Sequence, residues 1–418
     1  MARLEAVEIC AGAGGQVLGL ELAGFRHRLA VELDLSACAT LETNLRRRNA
    51  ECKVACGDVA DTEVWKPAEY KEIDLLAGGV PCPPFTIAGK QLGATDERDL
   101  FAWAVDTAME VQPRALLLEN VRGLSMPRFA GYRQHVLDEL RDVGYVAEWR
   151  LLQASDFGVP QLRPRFVLVA LQEEYAPYFH WPEPVGAPPT VGQTLHKEMA
   201  SAGWKGADEW AKHADKIAPT IVGGSKKHGG ADLGPTRAKR AWAAMGVDAL
   251  GVANEPPPPD AEFGSAPGPK LTTSMVELLQ GFRSEWEWEF TGRKTSRYRQ
   301  IGNAFPPPVA KAVGEQLAAA LTKTASARER YPITEHDPIY RALRDKGDYV
   351  TAEDLMEATG FGREEFERRI TMLGRDFHIE PKEDATGIWY RLGEFKAFTG
   401  QQDHERHDMF LKNRAKIS

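Results

Sequence analysis

Short apolar runs separated by amphipathic stretches dominate the first 170 residues. Runs at 6–10, 29–32, 54–56, 73–76, 115–118 and 166–170 are rich in Val, Ile, Leu and Ala. Their length and bounding turn residues fit buried strands. Between them, 16–22, 100–111 and 132–143 carry apolar residues three and four apart, the spacing of a helix with one buried face. This alternation predicts βαβ units and an α/β fold, a mainly parallel sheet covered by helices on both faces.

The rhythm breaks after Phe179-His180-Trp181-Pro182. Up to about residue 269 the chain is rich in Gly and Pro and poorly periodic, with Pro256-Pro257-Pro258-Pro259 reading as a stiff linker. From 325 onward short, charged helices are expected. Ile339 and Leu343 share one face, Thr351-Ala352-Glu353-Asp354 starts a second helix that stops near Gly360, and Phe366, Ile370 and Leu373 line a third. Phe377-His378-Ile379 and Ile388-Trp389-Tyr390 bracket a turn at Asp384-Ala385-Thr386-Gly387. The order predicts a winged-helix-like unit over 336–395. Its third helix mixes Arg363, Arg368 and Arg369 with Glu364, Glu365 and Glu367, which suits DNA poorly and leaves DNA and protein contact equally open.

Composition narrows the class. The 418 residues, 43% apolar and 27% charged, suffice for about two or three globular domains. No apolar window of about 18 residues is present, so no membrane span is expected, and the acidic start is unlike a signal peptide. All five cysteines (Cys10, Cys38, Cys52, Cys56, Cys82) fall in the first fifth of the chain. An odd count is a poor disulfide framework and points to a reducing cytoplasm. Cys52 and Cys56 lack a second Cys/His pair nearby, so no metal site is expected. The net charge of −8 neither requires nor excludes nucleic acid.

Two loops at strand ends carry candidate chemistry. Ile9-Cys10-Ala11-Gly12-Ala13-Gly14-Gly15 puts glycines where a strand turns into a helix, allowing positive φ and close approach of a ligand. Glu32 closes the next strand, twenty residues after Gly12, where a carboxylate can accept from ribose hydroxyls. Asp58 closes the third strand and can accept from an adenine amine. These describe a nucleoside-containing cofactor. Val17 in the third glycine place disfavours a nicotinamide dinucleotide. The second loop, Pro81-Cys82-Pro83-Pro84-Phe85-Thr86, cannot be helical and holds a thiol at the end of a buried strand. Cys82 is a candidate nucleophile.

Five segments in order, the glycine loop at 10–15, Pro81-Cys82, Glu119-Asn120-Val121, Gln161-Leu162-Arg163-Pro164-Arg165 and Gly302-Asn303-Ala304-Phe305, resemble the motifs of the DNA cytosine-5 methyltransferase family over roughly residues 5–322. The resemblance implies a Rossmann-like S-adenosylmethionine-dependent sheet spanning 1–185 and completed by about 300–325. It also implies a smaller irregular target-recognition domain at 186–299, and it leaves 326–418 as the winged-helix-like extension and tail. It implies attack of the Cys82 thiolate on carbon-6 of a flipped cytosine, with Glu119 sharing a proton at ring nitrogen 3 and Arg165 donating to the ring carbonyl. Arg163 supports the Cys82 loop or a phosphate, and Asn120 orders the proline loop. Cofactor contacts are implied for Cys10, Ala11, Gly12, Gly14, Gly15, Glu32 and Leu33. The same holds for Asp58, Val59, Pro81, Leu100, Asn303 and Ala304. Three departures stand out: Cys10 and Leu33 occupy places that are often aromatic, and Pro83 stands where glutamine is common.

Residues 205–240 hold eight Lys/Arg against four Asp/Glu, opposite to the global balance. Lys226 and Lys227 fit phosphates, and Arg237 or Arg240 could read guanine. The implied partners are double-stranded DNA and a cognate restriction endonuclease, with a monomer acting on DNA in the cytoplasm at the nucleoid. A tRNA cytosine methyltransferase and a decayed DNA-binding regulator are the competing readings; intact Cys82, Glu119 and Arg165 speak against decay.

Overall fold

The computed structural model describes residues 3–81, 100–223, 231–262, 264, 268–329, 336–385 and 387–396. Cys82, Lys226 and Lys227 therefore lie outside the described residues. The first part runs β1 (Glu5–Ile9), α1 (Gly15–Leu22), β2 (Arg26–Glu32), α2 (Leu35–Arg48), β3 (Lys53–Cys56), β4 (Leu75–Gly78), α3 (Leu100–Val111), β5 (Ala115–Val121), α4 (Ala130–Asp142), β6 (Tyr145–Gln153) and β7 (Pro164–Gln172). The strands form one seven-stranded sheet in the order β3-β2-β1-β4-β5-β7-β6. The first five pair in parallel, and β7 runs antiparallel to both its neighbours. The sheet is thus mainly parallel, as the apolar pattern implies.

This order decides where a ligand can sit. From β1 the chain winds outward through β2 and β3, then returns to β4 on the other side of β1. Helices therefore leave the two halves in opposite senses, and a crevice opens at the carboxyl ends of β1 and β4. The glycine loop leaves β1 there, and Pro81 lies just past β4.

Both faces of the sheet are covered. On one, Val7, Ile9, Leu29, Val31, Leu76 and Leu118 pack against Phe101, Ala104 and Val105 of α3 and Tyr132 and Val136 of α4. On the other, Ala6, Leu75, Ala77 and Val169 meet Leu20 of α1 and a late helix. The strand β6 escaped the sequence pattern because its outward positions, Arg150 and Leu151 among them, are exposed, so it reads as neither buried run nor clean alternation.

The chain continues through α5 (Val191–Ala200), α6 (Ala207–His213), α7 (Thr236–Ala243), α8 (Thr273–Leu279), α9 (Lys294–Asn303) and α10 (Pro307–Leu321). The late helix is α10, and it lies so close on α1 that a Cβ on Gly19 would stand 2.6 Å from Pro307 O. The irregular region is not separate from the sheet layer. Trp210, Trp242, Leu271, Met275 and Trp288 share one buried cluster with Val17 and Leu18 of α1 and Leu41 of α2. Its apolar residues come singly from short helices and loops, so no periodicity announces the core.

One expectation needs correcting. The cysteines were expected to form no disulfide framework, yet Cys38 and Cys56 are joined as a disulfide, their Cα atoms 6.1 Å apart. The pairing arises because α2 packs along β3, bringing its first turn beside the strand's end. Cys10 and Cys52 are free. Among the described residues no helix is long and apolar enough to cross a membrane.

Beyond α10 come α11 (Pro338–Lys346), β8 (Val350–Thr351), α12 (Ala352–Thr359), α13 (Arg363–Leu373), β9 (Phe377–Asp384) and β10 (Gly387–Phe395). The strands form a sheet in the order β8-β10-β9. Thr351 caps α12 by accepting from Asp354 N, and Gly360 ends it at φ +69°. This unit docks on α4. The buried Asp138 accepts from Arg341 at 2.8 Å, Arg344 reaches Glu139 at 3.1 Å, and His135 stacks on Phe395. Burial pushes His135 and His336 down to about 4, so both are neutral at this seam near pH 7.

Candidate active site

Antiparallel pairing of β5 with β7 sets Val121 opposite Arg165 and Glu119 opposite Val167. Glu119 and Arg165 thereby fall on neighbouring positions of one sheet face, and Arg165 Nε lies 2.6 Å from Glu119 Oε1. Both groups are enclosed. Burial raises the Glu119 carboxyl above the ordinary range, against the pull of Arg165 and Arg163, and burial lowers Arg165. A buried carboxyl that holds its proton more readily than usual can donate to a ring nitrogen. Gly79 leaves room beside it, since a Cβ there would sit 3.5 Å from Glu119 Oε2. Asn120 donates from Nδ2 to Val80 O at 2.9 Å and accepts from Val121 N at 2.8 Å. It thereby fixes the backbone that leads into Pro81 and Cys82.

Arg163 is placed differently. Its side chain is only 1% exposed, so no phosphate can reach it. It donates to the carbonyls of Ile221 (2.5 Å), Gly302 (2.7 Å) and Ala304 (3.1 Å). Gln161 joins the same network: it accepts from Ile221 N at 2.9 Å and donates to Gln280 Oε1 at 2.9 Å. Gln280 in turn donates to Ala304 O at 2.6 Å. Three distant segments are thus tied to the start of β7. Gln280 was not singled out from sequence; its signal is a lone amide in the apolar run Leu278-Leu279-Gln280-Gly281-Phe282. Gln280→Met should cost about 1–3 kcal/mol, because polar partners lose their bonds in a dry interior. Urea unfolding of the variant beside the parent protein measures it.

The glycine loop leaves β1, two strands over from β5 with β4 between them. Cys10, Gly12 and Gly14 all have positive φ, at +50°, +56° and +85°. Gly12 N donates to Glu32 Oε2 at 2.7 Å, and Asp34 N donates to Glu32 Oε1 at 2.8 Å. Burial, then the Glu32 and Asp58 carboxylates, push the Cys10 thiol far up, so Cys10 stays protonated. Cys10, Glu32 and Asp58 stand at or just past the carboxyl ends of the neighbouring strands β1, β2 and β3. Leu33 is 43% exposed at its rim, while Val59 and Leu100 are buried beneath. The Asp58 Oδ1 accepts from Ala60 N at 2.9 Å. A Cβ on Gly15 would stand 3.1 Å from the Ala304 Cβ, so the carboxyl end of α9, with its cap Ala304, lies against the start of α1, with Asn303 exposed. Ala11 is buried in the loop, and Pro81 is half-buried.

Of the expected DNA readers, Arg237 and Arg240 lie among the described residues. Arg237 and Arg240 are exposed on α7, whose Lys239 pairs with Asp232 at 2.9 Å.

The family model for C-5 cytosine-specific DNA methylase matches residues 4–319. The type II methyltransferase M.NaeI of Lentzea aerocolonigenes is 65% identical over the whole of both chains. M.NgoMIV of Neisseria gonorrhoeae, another type II methyltransferase, is 48% identical over 322 residues, covering 76% of this chain and 98% of its own. Among solved structures, a triple mutant of Spodoptera frugiperda DNMT2 superposes with a TM-score of 0.53 at 17% identity, over 76% of this chain and 99% of its own, which shows the shared fold. On the match over residues 4–319, and with relatives this similar, the chain belongs to the C-5 cytosine-specific DNA methylase family and is an enzyme of that class.

Proposed function

We propose that this chain is the modification enzyme of a type II restriction system. It transfers a methyl group from S-adenosylmethionine to carbon-5 of a cytosine flipped out of a specific duplex sequence. The observation that carries the reading is the largely enclosed Glu119–Arg165 pair at the carboxyl end of β5, two strands from the glycine loop of β1, with Asn120 holding Val80 just before the Cys82 loop.

The chemistry follows from these residues. Carbon-5 of cytosine is a poor nucleophile. Addition of the Cys82 thiolate to carbon-6 makes it enamine-like. Glu119, its proton retained by burial, gives that proton to nitrogen 3 as charge develops there. Arg165 donates to the ring carbonyl oxygen. After methylation a base removes the carbon-5 proton and the thiolate leaves. The target atoms are stacked inside a duplex, so the base must be flipped into the pocket.

The crevice fits the methyl donor. The left-handed positions at Gly12 and Gly14 open the loop, Glu32 and Asp58 offer acceptors, and Leu33 offers an apolar contact. S-adenosylmethionine supplies the methyl group as an electrophilic sulfonium. The chain's residues would bind its nucleoside, with Ala304, Asn303, Val59, Leu100 and Pro81 around it.

The region 186–299 reads the DNA in this proposal, and 1–185 with 300–325 carries the chemistry. Lys226 and Lys227 supply its positive charge toward the backbone, and Arg237 or Arg240 reads guanine. Replacing Lys226 and Lys227 together by Ala should flatten the slope of log K against log salt by about two, near 0.9 for each phosphate no longer neutralised. Fluorescence anisotropy across a salt series measures this. The unit over 336–395 reads as winged-helix-like, and Arg368 and Arg369 of α13 engage Glu365, holding its carboxyl down at about 2. Those arginines are thereby occupied, which favours protein over DNA contact. A cognate endonuclease, monomeric action and a place at the cytoplasmic nucleoid belong to the same reading.

Bisulfite sequencing of unmethylated plasmid incubated with the protein and S-adenosylmethionine tests the whole. Protection of one cytosine in one short sequence is expected. No protected cytosine from folded, cofactor-binding protein would overturn it.

A further inference from the structure

Residues 286–291 connect the recognition region to α9, and they are stitched to α2 along their length. Asn44 holds Glu289 twice, donating to its carbonyl at 2.8 Å and accepting from its N–H at 2.9 Å. Arg47 donates to Glu287 O at 2.8 Å, and Arg48 to Trp286 O at 3.0 Å. Thr291 N donates to Thr40 Oγ1 at 3.0 Å, and Thr40 donates to Gln300 Oε1 at 2.6 Å. A strap held this way has one position relative to α2.

From that strap Trp288 reaches the glycine loop. Its indole N–H donates to Ala13 O at 3.0 Å, and the side chain is 7% exposed. Its ring occupies the space that a Cβ on Gly14 would need. Gly14 caps α1 at φ +85° with no side-chain capping bond, and its N–H donates to Ala11 O at 3.1 Å to close the loop's turn. The loop is therefore held by its own turn, by bonds to β2 from Ala11 N to Val31 O and from Gly12 N to Glu32, and, from the recognition side, by the indole.

We propose that Trp288 is a positioning residue for the methyl donor. By holding the Ala13 carbonyl and filling the space beside Gly14, it keeps the glycine loop in its ligand-ready shape before the ligand arrives. Affinity is gained because the ordering cost is met in the free protein. Because the strap belongs to the recognition side, cofactor affinity depends on how that side is seated on α2. The inference rests on the crevice being the S-adenosylmethionine site.

The test is calorimetric titration of S-adenosylmethionine into parent protein and Trp288→Phe, with steady-state kinetics and thermal unfolding alongside. Phenylalanine keeps most of the ring and loses the N–H. The expected result is a Kd and KM for S-adenosylmethionine raised about 5-fold, the worth of one hydrogen bond. The kcat and the KM for DNA should stay within about twofold. Trp288→Ala, where it folds, should raise the same two constants further. Unaltered affinity in Trp288→Phe overturns the positioning role alone. A proportional loss of every kinetic parameter, tracking the folded fraction, also overturns it. Parent protein without saturable binding overturns the cofactor reading and the brace with it.

Discussion

Cys82→Ser is expected to abolish methyl transfer, by roughly 10³-fold or more, while leaving S-adenosylmethionine binding intact. A serine hydroxyl ionises far above the thiol, so almost none is present as the anion that adds to carbon-6. Nothing described in the cofactor crevice depends on residue 82: Gly12 is bonded to Glu32, and Asn120 is bonded to Val80. Binding should therefore survive where turnover does not. A filter assay of labelled methyl incorporation reads the first, and calorimetry the second. A duplex carrying fluorine at carbon-5 of the target cytosine gives a third readout. Elimination then has no proton to remove, so the parent protein should stay joined to DNA on a denaturing gel and Cys82→Ser should not. Substantial turnover in the serine variant would sink the covalent route.

Much of this site was legible because its residues stand at the ends of buried strands. Glu119 and Asn120 close a run whose first four residues are all leucine or alanine, and Glu32 closes another. A carboxylate at the end of such a run is conspicuous, since the residues just before it, Leu116, Leu117 and Leu118 in β5 and Leu29, Ala30 and Val31 in β2, are all apolar. The same holds for the proline-flanked Cys82. The parallel half of the sheet follows from equally uniform runs. The reversal to antiparallel β7 was not announced, because pairing direction leaves no mark on apolar content.

The network of Arg163, Gln161 and Gln280 was harder to read. Its role depends on segments separated by as many as 141 residues meeting at one point, and no local spacing encodes that. Arg163 was placed in a motif, yet its partners are backbone carbonyls, which every sequence has. Trp288 is similar: an aromatic residue in Trp286-Glu287-Trp288-Glu289 resembles an exposed turn until α2 is folded against it. The Cys38–Cys56 pair likewise depends on α2 lying along β3. Motifs betray chemistry, whereas braces become visible only in three dimensions.

Glu119→Gln should lower kcat by about 10²- to 10⁴-fold, the range for loss of a positioned proton donor. Its pH profile should change as well. In the parent protein burial raises the Glu119 carboxyl, and Arg165 and Arg163 oppose the shift without cancelling it. The protonated form therefore persists to higher pH than in a free glutamic acid. As pH rises through that raised value the donor is lost, so activity must fall on this limb. The thiolate of Cys82 forms in the same direction, so activity must also climb from low pH. Their product is a bell. Glutamine cannot ionise, so the falling limb should vanish in Glu119→Gln and leave only the climb set by the thiol. The amide can still offer an N–H to nitrogen 3 and an oxygen to Arg165, which keeps the pocket's shape. Single-turnover rates from pH 5.5 to about 9 at saturating S-adenosylmethionine would show both limbs. A falling limb of the same position in the glutamine variant would assign it to another group and remove Glu119 from proton transfer.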